Sequence, residues 1–201
     1  MIKAIIFDIG DTLTRNRWEK RLEAVKRETG VSMLNVIQLR GDRNDIVIGK
    51  KSFEKQIQRY IAEKEPKKNA AKVIKNYEKN YEKYAPINKK VARLIIKLRK
   101  QYKLYAFSNT NDLHARVNRK RGAYKYFHKT FLSNEIELRK PDKKAFVHVL
   151  RRIRLPAQSC VFIDDNKENI DAASLLGMKA VFYKSYKKLI TDLKKLGVKG
   201  I

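Results

Sequence analysis

The sequence predicts an α/β protein: a Rossmann-like, doubly wound parallel sheet with an inserted all-helical cap. Three observations carry this expectation. Short apolar runs alternate with longer stretches of helical periodicity. The runs are apolar throughout, as strands covered on both faces of a parallel sheet are. Several of them end in polar or acidic residues, the end of the strand at which open α/β sheets bind ligands.

The first run is Ala4–Phe7, and it ends in the turn-forming stretch Asp8-Ile9-Gly10-Asp11. Helical spacing then takes over. Trp18, Leu22 and Val25 share one face, as do Phe53, Ile57, Tyr60 and Ile61. Gly30, Gly41-Asp42 and Gly49 punctuate this stretch, and Pro66 with its charged neighbours precedes a further helix at about residues 69–84. No strand pattern interrupts it. The expected division is therefore a core of residues 1–14 and 86–201 and a helical cap of residues 15–85.

Pro86 marks the return to the core. Val91, Leu94, Ile95 and Leu98 build an amphipathic helix, and residues 104–107 form a strand that ends at Ser108-Asn109-Thr110-Asn111. A helix over 112–121 closes at Gly122, and a strand follows at 130–132. Pro141 is expected at a helix start, where its missing N–H costs little. That helix carries Phe146, Val147 and Leu150. A buried strand at 161–163 ends in Asp164-Asp165, the next helix stops at Gly177, and a strand at 179–183 and a helix at 186–196 complete the chain.

The 201 residues suit one domain with an insertion. Their 48 Lys and Arg against 21 Asp and Glu give a net charge of +27, weighted toward residues 86–201. Such a surface attracts polyanions, whether nucleic acid or phosphorylated small molecules, and a solvated lysine-rich surface explains it equally well. Tyr77, Tyr81 and Tyr84 lie among lysines, a pattern that suits stacking on single-stranded nucleic acid. Their spacing also fits one buried helix stripe. Cys160 is the single cysteine, so no intrachain disulfide forms, and its apolar neighbours suit a buried small hydrophobe. No apolar run approaches the length of a membrane span. The expectation is a cytoplasmic protein with no membrane partner. His114, His128 and His148 show no metal-ligand spacing.

In chain order, the chemistry-bearing strand ends are Phe7-Asp8-Ile9-Gly10-Asp11-Thr12-Leu13, then Ser108 in AFSNTN, then Lys140 in LRKPDKKAF, then Asp164-Asp165 in VFIDDNKENIDAA. This set resembles the four motifs of the haloacid dehalogenase-like superfamily, and the resemblance spans nearly the whole chain. It is similar to the glucose-1-phosphatase and epoxide-hydrolase-like phosphatase branch with a small helical cap. The resemblance implies magnesium-dependent hydrolysis of a small phosphomonoester through an aspartyl-phosphate. Asp8 is then the nucleophile, and Asp8, Asp164, Asp165 and the Gly10 carbonyl hold Mg2+. Ser108, Asn109 and Lys140 contact the phosphoryl group.

The residue types suit these roles. A carboxylate attacks phosphorus only with cations nearby, and Lys140 and a metal supply them. Magnesium favours oxygen ligands. Two adjacent aspartates at a buried strand end repel each other unless a cation relieves them. Asn169 fits either a support for the metal ligands or a polar helix residue.

The pattern breaks at one place. Phosphatases of this superfamily carry a second aspartate two residues after the nucleophile, and here that residue is Gly10. Asp11, one residue further, is the candidate replacement acid. Three readings follow: a phosphatase that uses Asp11 or favours good leaving groups, a 2-haloacid dehalogenase, or a weakly active or inactive scaffold that binds nucleic acid or another polyanion. The paired Asp164-Asp165 argues against the dehalogenase. The stretch Gly49-Lys50-Lys51-Ser52 resembles a cap helix start in the family, with Ser52 as N-cap and Lys55 where a capping box has its acid. Arg15, Arg17 and Trp18 are candidates to line the cap entrance.

Overall fold

A computed structural model describes residues 1–38 and 43–201. The Gly41-Asp42 punctuation lies outside the described residues. Five parallel strands form one sheet in the order β3-β2-β1-β4-β5: β1 Ala4–Phe7, β2 Lys103–Ser108, β3 Lys129–Leu132, β4 Cys160–Asp164 and β5 Lys179–Phe182. β1 and β4, at the middle of the sheet, are buried at every position, while β2, β3 and β5 each begin at an exposed lysine. Burial on both faces explains the absence of polar alternation in the sequence.

The two faces take alternate residues of β1. Ile5 and Phe7 pack with Val91, Leu94, Ile95 and Leu98 of helix α6 (Lys89–Leu98) and with Leu189 and Leu193 of α11 (Tyr186–Lys195). Ala4 and Ile6 pack with Phe146 and Val149 of α9 (Lys143–Ile153) and Ile170 and Ala173 of α10 (Lys167–Leu175). Phe146 meets Phe107 and Phe162 edge-on at centroid distances of 5.3 and 5.2 Å. Each such buried side chain contributes about 1.5–3 kcal/mol.

Between β1 and α6 lie α1 (Trp18–Thr29), α2 (Met33–Gln38), α3 (Arg43–Val47), α4 (Phe53–Lys64) and α5 (Ala70–Tyr84), with no strand among the described residues. This helical insertion has its own apolar centre of Leu22, Val25, Val31, Val36, Phe53, Ile57, Tyr77 and neighbours. The chain enters and leaves it side by side: Thr14 pairs with Ile87, and Arg15 and Arg17 donate their N–H groups to the carbonyls of Pro86 and Tyr84 at 3.0 and 2.8 Å.

Insertion and core are tied along a seam. Ser52 caps α4 by accepting the Lys55 N–H at 3.1 Å. Asp112, first residue of α7 (Asp112–Lys120), accepts the Phe53 N–H at 2.9 Å and the Ser52 hydroxyl. The Ser133 hydroxyl, from α8 (Ser133–Ile136), reaches the Val47 carbonyl at 2.6 Å. Gly49 lies so close that an added Cβ would sit 2.0 Å from the Asn134 carbonyl oxygen, and its φ of +77° also favours glycine.

The short helices α3 and α8 were not foreseen by sequence, since neither is long enough to show a period. Pro141 corrects an expectation. It lies outside the helix, ahead of the N-cap Asp142 that accepts the Lys144 N–H, and its bond to Lys140 is cis. Tyr77 and Tyr81 are buried, so the tyrosine row is a packing stripe rather than an exposed stacking platform. Cys160 is buried and packs with the α9–α10 face of the sheet, and burial pushes its thiol up to about 11. Among the described residues no helix is long and apolar enough to cross a membrane.

Candidate active site

The register of the sheet assembles the site. Phe7 lies opposite Ala106 on one side and Ile163 on the other, so the next residue, Asp8, falls beside Phe107 and Asp164. The Asp8 N–H donates to the Ile163 carbonyl at 2.8 Å, which continues the ladder one step past the strand. This is the crevice where the sheet reverses its winding direction, between β1 and β4.

Lys140 closes the crevice from below. It is 1% exposed, and its three ammonium protons have three acceptors: Asp8 Oδ1 at 2.6 Å, Asp164 Oδ2 at 2.6 Å and the Phe107 carbonyl at 2.8 Å. The ammonium also lies 5.3 and 5.5 Å from the ring centres of Phe107 and Phe162. Burial works against its charged form, but Asp8 and Asp164 outweigh this and hold its pKa above the ordinary lysine value. Asn109 fixes the Lys140 backbone, accepting its N–H at 2.9 Å and donating to its carbonyl at 2.8 Å. Sequence reading set Asn109 against the phosphoryl group; the structure shows its amide clasping the lysine.

One lysine does not balance the acids around it. Asp8, Asp164 and Asp165 offer carboxylate oxygens that all lie within 4.8 Å of one another. Burial, opposed by Lys140 and reinforced by Asp164, pushes Asp8 up to about 7. Burial and Asp164 push Asp165 up to about 6. Asp164 is the most engaged of the three: it takes Lys140 and the Asn169 amide (3.0 Å) on Oδ2 and the Asn166 N–H (2.8 Å) on Oδ1. Asn169 thus supports an acid of the cluster. The oxygen-only donor set and its crowded negative charge fit a hard divalent cation.

Ser108 ends β2 and is buried, and its hydroxyl has no protein partner among the described residues. The Gly10 carbonyl accepts the Thr12 N–H at 2.5 Å. A Cβ at Gly10 would meet only Asp8 Oδ2, at 3.7 Å, and the residue has no left-handed φ, so the backbone does not require glycine there. The left-handed residue of this loop is Asp11, with φ of 46°. Asp11 is exposed, and its Oδ1 accepts the Asn16 N–H at 2.8 Å, so the structure occupies that carboxylate in shaping the loop.

Arg15, Arg17 and Trp18 are all exposed. A buried arginine that reaches the Asp8–Asp11 loop through Asn16 was not foreseen. Arg21 is 5% exposed and donates to Asn16 Oδ1 at 3.2 Å. Its signal in the sequence is a charge inside the Trp18–Leu22–Val25 face, three residues from one member and four from another.

Together the fold and this cluster define a class of protein: a parallel α/β sheet with a helical insertion after its first strand and an acidic crevice at the carboxyl ends of its central strands. The chain belongs to the haloacid dehalogenase-like hydrolases, whose family model matches residues 2–177. It is 28% identical to a glyceraldehyde 3-phosphate phosphatase of Methanopyrus kandleri over 90% of this chain and 83% of that protein. A 42% identical match to drimenol cyclase drtB of Aspergillus calidoustus covers only 28% of this chain and 11% of that much longer protein. Among solved structures it is similar to a haloacid dehalogenase family enzyme of Bacteroides thetaiotaomicron in complex with magnesium and inorganic phosphate. The TM-score is 0.78 at 25% identity, with 92% of this chain and 95% of that one covered.

Proposed function

We propose that the protein is a magnesium-dependent phosphatase that hydrolyses a small phosphomonoester through an aspartyl-phosphate on Asp8. The observation that carries this reading is the buried Lys140 ammonium, 2.6 Å from both Asp8 and Asp164, at the carboxyl end of the central strands. Residues 1–14 and 86–201 act as the catalytic core and residues 15–85 as the cap that selects substrate. The Bacteroides relative with bound magnesium and phosphate and the Methanopyrus phosphatase support the same chemistry.

Asp8 attacks phosphorus and the ester oxygen departs. Lys140 holds the attacking carboxylate in place and offsets the negative charge gathered on the phosphoryl oxygens. Ser108 donates its hydroxyl to one of those oxygens. Asp164 orients Lys140, and Asn109 fixes the lysine backbone beneath it. Asp8, Asp165, Asp164 and the Gly10 carbonyl would hold Mg2+. Bound there, the ion would neutralise the carboxylate cluster and shield the incoming phosphate from Asp8. Water then hydrolyses the aspartyl-phosphate.

With glycine at position 10, no acid stands where the family's usual proton donor does. Substrates whose leaving group is stable without a proton, such as acyl or aryl phosphates, are therefore turned over best. The test is a screen of phosphate esters with and without magnesium. Turnover is expected only with the metal, and Asp8→Asn abolishes it. If no ester is hydrolysed while the protein binds nucleic acid in a salt-sensitive way, the polyanion-binding reading replaces this one.

A further inference from the structure

Arg21 takes no part in the chemistry described above, yet it is a buried cation without an acid. Among the described residues no carboxylate pairs with it, and its Nε is buried with no hydrogen-bond partner at all. Among the described residues its side chain makes one hydrogen bond, Nη1 to Asn16 Oδ1. Its guanidinium lies 5.5 Å from the Tyr77 ring centre and 5.1 Å from that of Tyr81.

A second guanidinium shares the Tyr81 ring. Arg121 lies 5.4 Å from its centre and donates to neutral acceptors, the Asn118 side-chain oxygen and the Ala85 carbonyl. His114 stacks on Tyr81 at 4.0 Å and accepts or donates a 2.8 Å hydrogen bond with the Tyr77 hydroxyl. Burial and the two guanidiniums hold His114 well below its ordinary pKa, so it adds no third charge near neutrality. The result is a buried guanidinium, Arg21, and a half-buried one, Arg121, on the same aromatic ring, with no carboxylate hydrogen-bonded to either among the described residues. A buried charge is retained at a cost unless something pairs with it.

The place of the cluster says what that partner is. It lies on the seam, with α1 and α5 of the insertion on one side and α7 of the core on the other. Helix α7 begins directly after the Ser108–Asn111 loop. Asn16 links Arg21 to Asp11 in the nucleophile loop. Two hydrogen bonds in series, Arg21 to Asn16 and Asn16 to Asp11, thus connect the unpaired guanidinium to the loop that carries Asp8.

We infer that Arg21, backed by Tyr77 and Tyr81, is a specificity residue that receives a second anionic group of the substrate, a carboxylate or a second phosphate. This rests on the reading that Asp8 takes the phosphoryl group. The substrate is then a short phosphomonoester bearing an acidic group at its far end. A side-on Arg edge, Nε with one Nη, matches either anion in bidentate fashion.

Calorimetric binding of non-hydrolysable ligands tests the inference without turnover. Propylphosphonate carries the phosphoryl mimic alone; phosphonopropionate adds a carboxylate and propane bisphosphonate a second phosphonate. With magnesium present, the wild-type protein is expected to bind one of the two double anions at least about tenfold more tightly than propylphosphonate, and which one names the group. Arg21→Met should bring that ratio to within about twofold and leave propylphosphonate affinity unchanged. Arg21→Lys, which keeps the charge and loses the bidentate edge, should keep only part of the ratio and serves if the Met variant fails to fold. Equal binding of all three ligands by the wild type, or a full ratio surviving in Arg21→Lys or Arg21→Met, overturns the inference. Failure of every ester in the turnover screen would count against the phosphatase reading and leave this binding result standing.

Discussion

The two sides of the seam hold opposite and unequal charges. On the core side, three carboxylates cluster beside one lysine, which bonds two of them. Across the seam, Arg21 of the insertion and Arg121 of the core share the ring of Tyr81, and among the described residues no carboxylate hydrogen-bonds to either. In the core the surplus is negative and every donor of the lysine is satisfied, so the cluster is complete except for a further cation. In the insertion the surplus is positive and one donor is buried without a partner. The difference teaches where each ligand belongs. On the proposed reading the core surplus takes a metal, the insertion surplus takes the far end of the substrate, and the phosphoryl group lies between them.

Breaking the core side has the largest effect. Lys140→Met leaves Asp8 and Asp164 buried together without their shared cation. Removing one partner of a buried ion pair typically costs about 3–5 kcal/mol of stability. Loss of the positive charge at the phosphoryl group should also lower turnover by roughly a thousandfold. Thermal unfolding and steady-state kinetics report the two effects separately. Gly10→Asp probes the same side more gently. The space at Gly10 admits a Cβ, and a proton donor there should raise turnover of alkyl phosphates by roughly a hundredfold while changing aryl phosphates little. An equal effect on both substrate classes would show that proton supply is not what position 10 lacks.

The insertion side should respond much less. Arg21→Met removes an unpaired buried charge and with it two contacts to aromatic rings. These effects oppose each other, and the net change in stability is expected within about 1 kcal/mol, against the much larger loss at Lys140. The smallest expected effect is the acid sensitivity of His114. Its folded-state pKa is depressed by burial and by Arg21 and Arg121. Its contribution to stability is therefore complete above the unfolded value of about 6.5 and is lost as pH falls below it toward the folded value. The difference in melting temperature between the wild type and His114→Phe should accordingly shrink on acidification. A difference that stays constant with pH would show that His114 does not titrate in that window.

The core was more legible than the insertion because its signals are local. Ala4–Phe7 reads as a buried strand on its own residues, and Asp8, Ser108 and Asp164 mark strand ends wherever the strands pair. Parallel packing then brings those ends together without further instruction. The place of Lys140 was read from its motif; what holds it there, the clasp by Asn109, joins residues 31 apart in sequence and leaves no local trace. Pro141 was misplaced because a proline at the first helical turn and one just ahead of an N-cap look alike in sequence. The insertion chooses its buried polar residues by helix–helix packing. Arg15 and Arg17 were as plausible as Arg21 from composition, and only the position of Arg21 within an apolar face separates it from them. His114, a lone histidine in sequence, acquires its meaning from Tyr77 and Tyr81 on another helix.

The most direct test of the central claim is mass spectrometry of the protein quenched in acid during turnover of an ester found in the screen. The account predicts one added phosphoryl group on the peptide that contains Asp8, present with magnesium and absent in Asp8→Asn. Steady release of phosphate with that peptide unmodified, or with the phosphoryl group on another residue, would contradict it.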